Sequence, residues 1–387
     1  MLKVKLMNKI AKVGTDVLSA AHYEVGADVE NADAIMVRSA ALHDMPFPEN
    51  LRAIARCGAG VNNIPVDKCT EKGVVVFNTA GANANAVKEL VIAALVLSSR
   101  DVLGGVKWVE SLQGQTDVPK LVEKGKSAFV GHELAGKTLG VIGLGAIGGM
   151  VANAAISLGM SVLGYDPYIT AKAAWSLAPS VKQAVDYAEI FKTCDYITLH
   201  VPATPQTKNM ICEKSIATMR DGVRILNLAR ADLVNAEDLK KALAAKKIAC
   251  YITDFPTDET VGVEGIIAIP HLGASTVESE DHCAIMAAQE LAEFLTCGNI
   301  KGSVNFPAVS IPQSEKPRVC IMNKNIPHML SQITAAFSAE HINIENLANG
   351  SKGEIAYTIV ETNVAATQGV LDKISAIEGV FGVRTFA

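Results

Sequence analysis

Residues 138–165, TLGVIGLGAIGGMVANAAISLGMSVLGY, carry no charged side chain, and Asp166 follows them. Few folds can accommodate such a run. A membrane-spanning helix is one, since the length suffices and Gly145 and Gly149 have G-x-x-x-G spacing. Its many glycines, Asn153 and two serines make it a poor one. The order of residues fits another unit better. An apolar strand (139–142) runs into Gly143-Leu144-Gly145-Ala146-Ile147-Gly148. An Ala-rich helix follows to about Leu158, and a second apolar strand (161–165) ends at Asp166. Gly143 allows a tight turn, Gly145 lets backbone approach a pyrophosphate, and Gly148 lets the helix pack on the strand. The helix N-terminus presents free N–H groups and partial positive charge to the phosphates. Asp166 stands where a carboxylate accepts the adenosine ribose hydroxyls. Pro167 and Tyr168 come next, with no arginine to hold a 2′-phosphate. The expected cofactor is therefore NAD, not NADP.

This unit begins near residue 138, so something folded precedes it. The segments AIMVRSA, LRAIARCGAG and GVVVFNTA read as strands with turns in residues 1–92, and YITLHVP, RILNLAR and ACYITDF continue the pattern beyond 166. The chain is 49% hydrophobic and only 5% aromatic, a composition suited to parallel sheets covered by helices. The expected fold class is α/β. Residues 277–297 read as one amphipathic helix that could return to the first domain. Residues 305–317, NFPAVSIPQSEKP, read as a linker. Strand and helix patterns then alternate to the end of the chain. The expected domains are 1–93 (substrate, first segment), 94–276 (NAD-binding, inserted), 277–306 (substrate, return segment), 307–317 (linker) and 318–387 (a small terminal domain).

A net charge of −5 argues against a general nucleic-acid or anionic-membrane surface. Eight scattered cysteines with no C-x-x-C pair point to reduced thiols, without a disulfide framework or a metal site. MLKVKLMNKI shows no leader-like apolar core, so a cytoplasmic location is expected. Hydride transfer from an alcohol carbon to nicotinamide needs a base, a cation for an anionic substrate, and a partner that tunes the base. Histidine titrates in the right range, and arginine binds carboxylates through a planar fork. Arg230 ends RILNLAR, His271 follows IIAIP, Asp254 ends ACYIT, and Glu259 comes five residues later. These are strand ends, where ligands sit in open α/β sheets. For each, the alternative is a surface or capping residue.

The motifs NLARADLVN, DFPTDE and IPHLGAST, in this order after the glycine turn, resemble the D-2-hydroxyacid dehydrogenases. RSA, GAGVNNI and VPATPQT extend the resemblance over nearly the whole chain. It implies two Rossmann-like or flavodoxin-like domains and, in the tail, a βαββαβ ACT domain. Arg230 then resembles the substrate-carboxylate arginine, His271 the acid/base and Glu259 its partner. His200, Pro202, Thr207, Ala229 and Asp254 match positions along the cofactor. Arg38 resembles a phosphate-binding arginine. Ser39, Arg56, the Gly58-Ala59-Gly60 turn and Asn83 are further substrate contacts. The implied reaction is NAD-dependent oxidation of 3-phospho-D-glycerate to 3-phosphohydroxypyruvate, which opens the phosphorylated route to serine. Alternatives are the same chemistry on an unphosphorylated acid such as glycerate, and an NAD-sensing scaffold like the corepressors that share this fold. The ACT resemblance implies a serine effector near Asn323, Asn325 and Asn343, and a homo-oligomer, dimer or tetramer. The chain departs from the family pattern at Ala231 (usually Gly), Ala80 (usually Pro), Asn62 and Lys88. The stretch between Glu259 and His271 is shorter than in many relatives.

Overall fold

Five short strands form the first sheet, several of them rich in Ala, Val and Ile. They are β1 (Leu2–Met7), β2 (Tyr23–Gly26), β3 (Ala34–Val37), β4 (Ala53–Arg56) and β5 (Val75–Asn78). All pair in parallel in the order β2-β1-β3-β4-β5. Every residue of β3 is buried, because both sheet faces are covered and alternation gives way to a continuous apolar run. Full burial of Ile35 or Val37 is worth about 1.5–3 kcal/mol relative to exposure. The order reverses between β1 and β3, so the crevice beyond their carboxyl ends is the place for a ligand in this sheet. Asn8 and Arg38 immediately follow those two strands.

The computed structural model describes residues 1–386 and resolves into two units, Met1–Asn83 with Val277 onward, and Ala84–Thr276. The second unit opens with the helix Ala84–Ser99. Its seven strands are β6 (Thr138–Ile142), β7 (Ser161–Tyr165), β8 (Lys182–Gln183), β9 (Tyr196–Leu199), β10 (Val223–Asn227), β11 (Ile248–Thr253) and β12 (Ile266–Ala268). Their order is β12-β11-β10-β9-β6-β7-β8, all parallel. This is the doubly wound dinucleotide-binding order with one added strand, reversing between β6 and β9. The expected strand–turn–helix–strand is present, with the helix at Ala146–Ser157.

In the first unit the helix Val277–Cys297 buries Cys283, Ala284, Ala287, Ala288, Leu291 and Phe294 in a core shared with β1, β3, β4 and β5. The tail supplies β13 (Arg318–Lys324), β14 (Ile344–Lys352), β15 (Ile355–Thr362) and β16 (Val380–Phe386). Helices Met329–Ser338 and Gln368–Ser375 complete a βαββαβ sequence. The sheet is antiparallel, in the order β14-β15-β13-β16. One face packs on its own two helices. The other face joins the core of the first sheet through Cys320, Met322, Tyr357, Ile359 and Phe386. Among the described residues no helix is long and apolar enough to cross a membrane.

Candidate active site

The glycine turn between β6 and the following helix is shaped by close backbone approach. Gly143 has φ of 91°, and a Cβ there would lie 2.5 Å from the His200 carbonyl oxygen. A Cβ on Gly148 would lie 1.9 Å from the Gly143 oxygen, whereas one on Gly145 would meet nothing within 4 Å. The turn is therefore closed on its packing side and open at Gly145, where no side chain caps the helix. Ala146 and Ile147 form the first turn of that helix. The free N–H groups fit a pyrophosphate. Asp166 Oδ2 accepts from Leu144 N, and its Oδ1 accepts from Tyr168 N, each at 2.9 Å. An ionised carboxylate has about four acceptor sites, so capacity for ribose hydroxyls remains. His200 pairs its Nε2 with Thr198 Oγ1 at 2.9 Å, and burial pulls its pKa down to about 4, leaving the ring neutral. Thr207 donates to the Pro202 carbonyl at 2.6 Å, which ties that loop together.

Arg230 is presented by a residue that sequence reading missed. Asn227, the last residue of β10, is fully buried. Its Oδ1 accepts from the N–H groups of Ala229 and Arg230, and its Nδ2 donates to the Arg230 carbonyl at 2.8 Å and to Tyr251 Oη at 3.0 Å. A polar side chain ending an apolar strand was the available signal. The Arg230 guanidinium is exposed and donates to the Ala229 carbonyl at 2.6 Å.

His271 sits in the left-handed region with φ of 53°, a conformation uncommon outside glycine. Asp254 holds it there. The Asp254 side chain is 1% exposed, and its two oxygens accept from Leu272 N and Gly273 N at 2.7 Å each. Burial raises the Asp254 pKa, while those N–H groups and nearby His271 act in the opposite direction. In this structure Asp254 is thus the clamp of the histidine loop. The Phe255 ring lies 4.7 Å from the His271 ring at 49°, and the Arg230 guanidinium carbon lies 5.6 Å from the same phenyl. The structure brings Arg230, Asp254 and His271 together around Phe255. Glu259 is exposed and lines a pocket of about 280 Å³ with Asn209, Asp232, Tyr251, Thr260 and Phe255.

In the first unit, Asn8 Oδ1 accepts from Ser39 N at 3.1 Å and Ala40 N at 2.8 Å, fixing the turn that carries Arg38. Arg56 Nε donates to the Arg38 carbonyl at 3.1 Å, and Arg56 ends β4 beside Val37 of β3. A Cβ on Gly58 would lie 2.0 Å from Arg56 Nη1, so glycine lets that side chain fold over the Gly58-Ala59-Gly60 turn. The Gly58 carbonyl accepts from Thr79 N, and the Ala59 carbonyl accepts from Asn78 Nδ2. Thr79 Oγ1 and Asn83 Oδ1 are buried without a hydrogen-bond partner.

The description "D-isomer specific 2-hydroxyacid dehydrogenase, NAD binding domain" matches residues 93–273. The D-3-phosphoglycerate dehydrogenase 1 of Saccharomyces cerevisiae is 32% identical over 348 residues, 84% of this chain and 71% of that protein. The chain belongs to the D-isomer-specific 2-hydroxyacid dehydrogenases. Its cofactor is NAD. The D-3-phosphoglycerate dehydrogenase of Methanocaldococcus jannaschii is 34% identical over 78% of this chain, which spans only 56% of that relative. The hydroxypyruvate reductase of Thermotoga maritima is 36% identical over 68% of this chain and 85% of its own length. The structure of NAD⁺-bound 3-phosphoglycerate dehydrogenase from Entamoeba histolytica aligns with a TM-score of 0.62 and 28% identity, over 79% of this chain and 98% of that one.

In the tail of this 2-hydroxyacid dehydrogenase, Asn323 and Asn325 lie at one end of the sheet and Asn343 at the other. Lys324 pairs with Ile355, whereas Asn343 precedes Ile344, which pairs with Thr362. Asn323 is 2% exposed and its Oδ1 has no partner. Asn325 Nδ2 donates to the Gly353 carbonyl, and Asn343 N donates to Asn363 Oδ1. The three asparagines therefore do not form one site within a single chain.

Proposed function

We propose that this chain is an NAD-dependent D-3-phosphoglycerate dehydrogenase, oxidising 3-phospho-D-glycerate to 3-phosphohydroxypyruvate at the entry to phosphorylated serine synthesis. The observation that carries the substrate assignment is Arg38 at the reversal point of the first sheet, with Arg56 bonded to its carbonyl. We assign the phosphate to these two arginines. Arg230 takes the substrate carboxylate and polarises the C2 oxygen. Neutral His271 accepts the C2 hydroxyl proton on an imidazole nitrogen and returns it in the reverse direction. When bound, NAD supplies the hydride acceptor. The unpartnered Asn83 Oδ1 is a further substrate contact. Glu259, which lines a pocket with Phe255, is assigned to stabilise the imidazolium.

The exposed helix Val102–Glu110 has no buried residue and carries Val102, Val106 and Val109 along one stripe. This supports a homodimer formed through the second unit. Two tails arranged head to tail could bring Asn323 and Asn325 of one copy beside Asn343 of another, and a serine effector is assigned there. The location is proposed as cytoplasmic, in keeping with eight free thiols.

A second reading, reduction of hydroxypyruvate itself, is favoured by the similarity to the Thermotoga enzyme. Steady-state NADH oxidation with 3-phosphohydroxypyruvate and with hydroxypyruvate separates the two. The first reading expects kcat/KM to favour the phosphorylated acid by about tenfold or more, the scale of two partly exposed charged contacts of up to about 1 kcal/mol each. Equal values would reject it in favour of the second.

A further inference from the structure

Arg38 already has an anion. Its Nη2 donates to Glu280 Oε1 at 2.6 Å, and the two side chains are similarly exposed, at 43% and 44%. Glu280 lies in the first turn of the helix Val277–Cys297, far from Arg38 in sequence but within the same unit. The Arg38 turn is held from beneath by Asn8, Arg56 and Asn63, which bond to its backbone and leave the guanidinium to Glu280.

We propose that Glu280 is a specificity-determining residue, an internal counter-ion on the phosphate-binding arginine that keeps out small free anions. The inference rests on the reading of Arg38 as the phosphate site. Two opposing effects have to be weighed. Glu280 orients Arg38, but an exposed ion pair is worth little, a few-fold in affinity at most. Glu280 also repels whatever anion shares that guanidinium. Charges about 6 Å apart in water cost a dianion roughly tenfold in affinity, and more where water is partly excluded. Repulsion therefore outweighs orientation. Inorganic phosphate, with only this anchor, bears the whole penalty. The phosphate of a phosphorylated hydroxy acid takes the same penalty, but the carboxylate anchor keeps that ligand bound where free phosphate is excluded. Ser279, the neighbour of Glu280, is 3% exposed, which fixes this turn of the helix in the core and keeps the carboxylate in place.

The test is competitive inhibition of NADH oxidation by inorganic phosphate, in the full chain, for the native protein and for Glu280→Gln. Arg38→Ala is run alongside with both keto acids. The expected result is a Ki for phosphate about tenfold lower in Glu280→Gln. Glu280→Ala should behave the same way, which removes any contribution from the amide. A Ki that is unchanged or higher in both variants overturns the inference, and leaves the substrate reading intact if Arg38→Ala abolishes the preference for the phosphorylated acid. Preference surviving in Arg38→Ala overturns the phosphate-site reading, and the inference with it.

Discussion

Phe255 packs near both cation-capable side chains of the candidate site, with the Arg230 guanidinium carbon 5.6 Å and the His271 ring 4.7 Å from its ring. A phenyl face attracts positive charge, so the ring suits the proton transfer proposed for His271. Phe255→Leu keeps the bulk and removes the quadrupole. It should lower kcat/KM by a few-fold, the equivalent of about 0.5–1 kcal/mol. Phe255→Tyr should restore it. A kcat/KM that does not move in Phe255→Leu would make the ring simple packing. At this scale the sequence was only partly legible. Arg230 and His271 could be singled out because strand ends in α/β sheets are where chemistry sits. Asn8, Asn227, Phe255 and Glu280 could not, because each acts through contacts to backbone or to distant residues that no local pattern encodes.

The helix Val277–Cys297 could be read from its periodicity, with the bounds it has in the structure. What it touches could not. At its C-terminal end the Cys297 carbonyl accepts from Arg318 Nη1 at 3.0 Å, and the Gly298 carbonyl accepts from Tyr357 Oη at 2.7 Å. Arg318 pairs with Glu361 at 2.7 Å, with the two side chains 2% and 1% exposed. Burial pushes the Glu361 carboxyl up, but hydrogen bonds from Ser314, Asn346 and Arg318 more than offset it and hold the group below the ordinary glutamate value. Arg318→Met would leave that charge buried and unpaired, at a cost of about 3–5 kcal/mol. Denaturant unfolding should show it as a lower midpoint. The sign with pH follows from the depressed carboxyl. The native pair contributes fully above the unfolded glutamate value near 4.5. Its contribution is lost as pH falls through the lower folded value. The variant should therefore lose its disadvantage in acid. A disadvantage that persists at low pH would mean that packing, not the charge pair, is what Arg318 provides.

Across the whole molecule, the two parallel sheets follow from patterns visible in the chain, because apolar runs bounded by glycine turns have few other ways to be buried, whereas the βαββαβ order of the tail was implied by the family resemblance, since β14 is a polar, mostly exposed strand. Three parts were harder to read. β1 stands within the charged MLKVKLM segment, the helices Val102–Glu110 and Val118–Gly125 bury no residue, and the tail sheet shares its core with the first sheet rather than standing alone. In each case tertiary packing decides, and periodicity records it weakly. The proposed function of the whole chain turns on His271, held in a left-handed turn by the buried carboxylate of Asp254 just after β11. The decisive measurement compares His271→Ala with the native protein in two assays, NADH binding by fluorescence titration and turnover of 3-phosphohydroxypyruvate. Loss of the acid/base should cut kcat by about 10²–10⁴-fold while the dissociation constant for NADH stays within a few-fold. Turnover retained in His271→Ala would contradict the assignment of this histidine and the mechanism built on it.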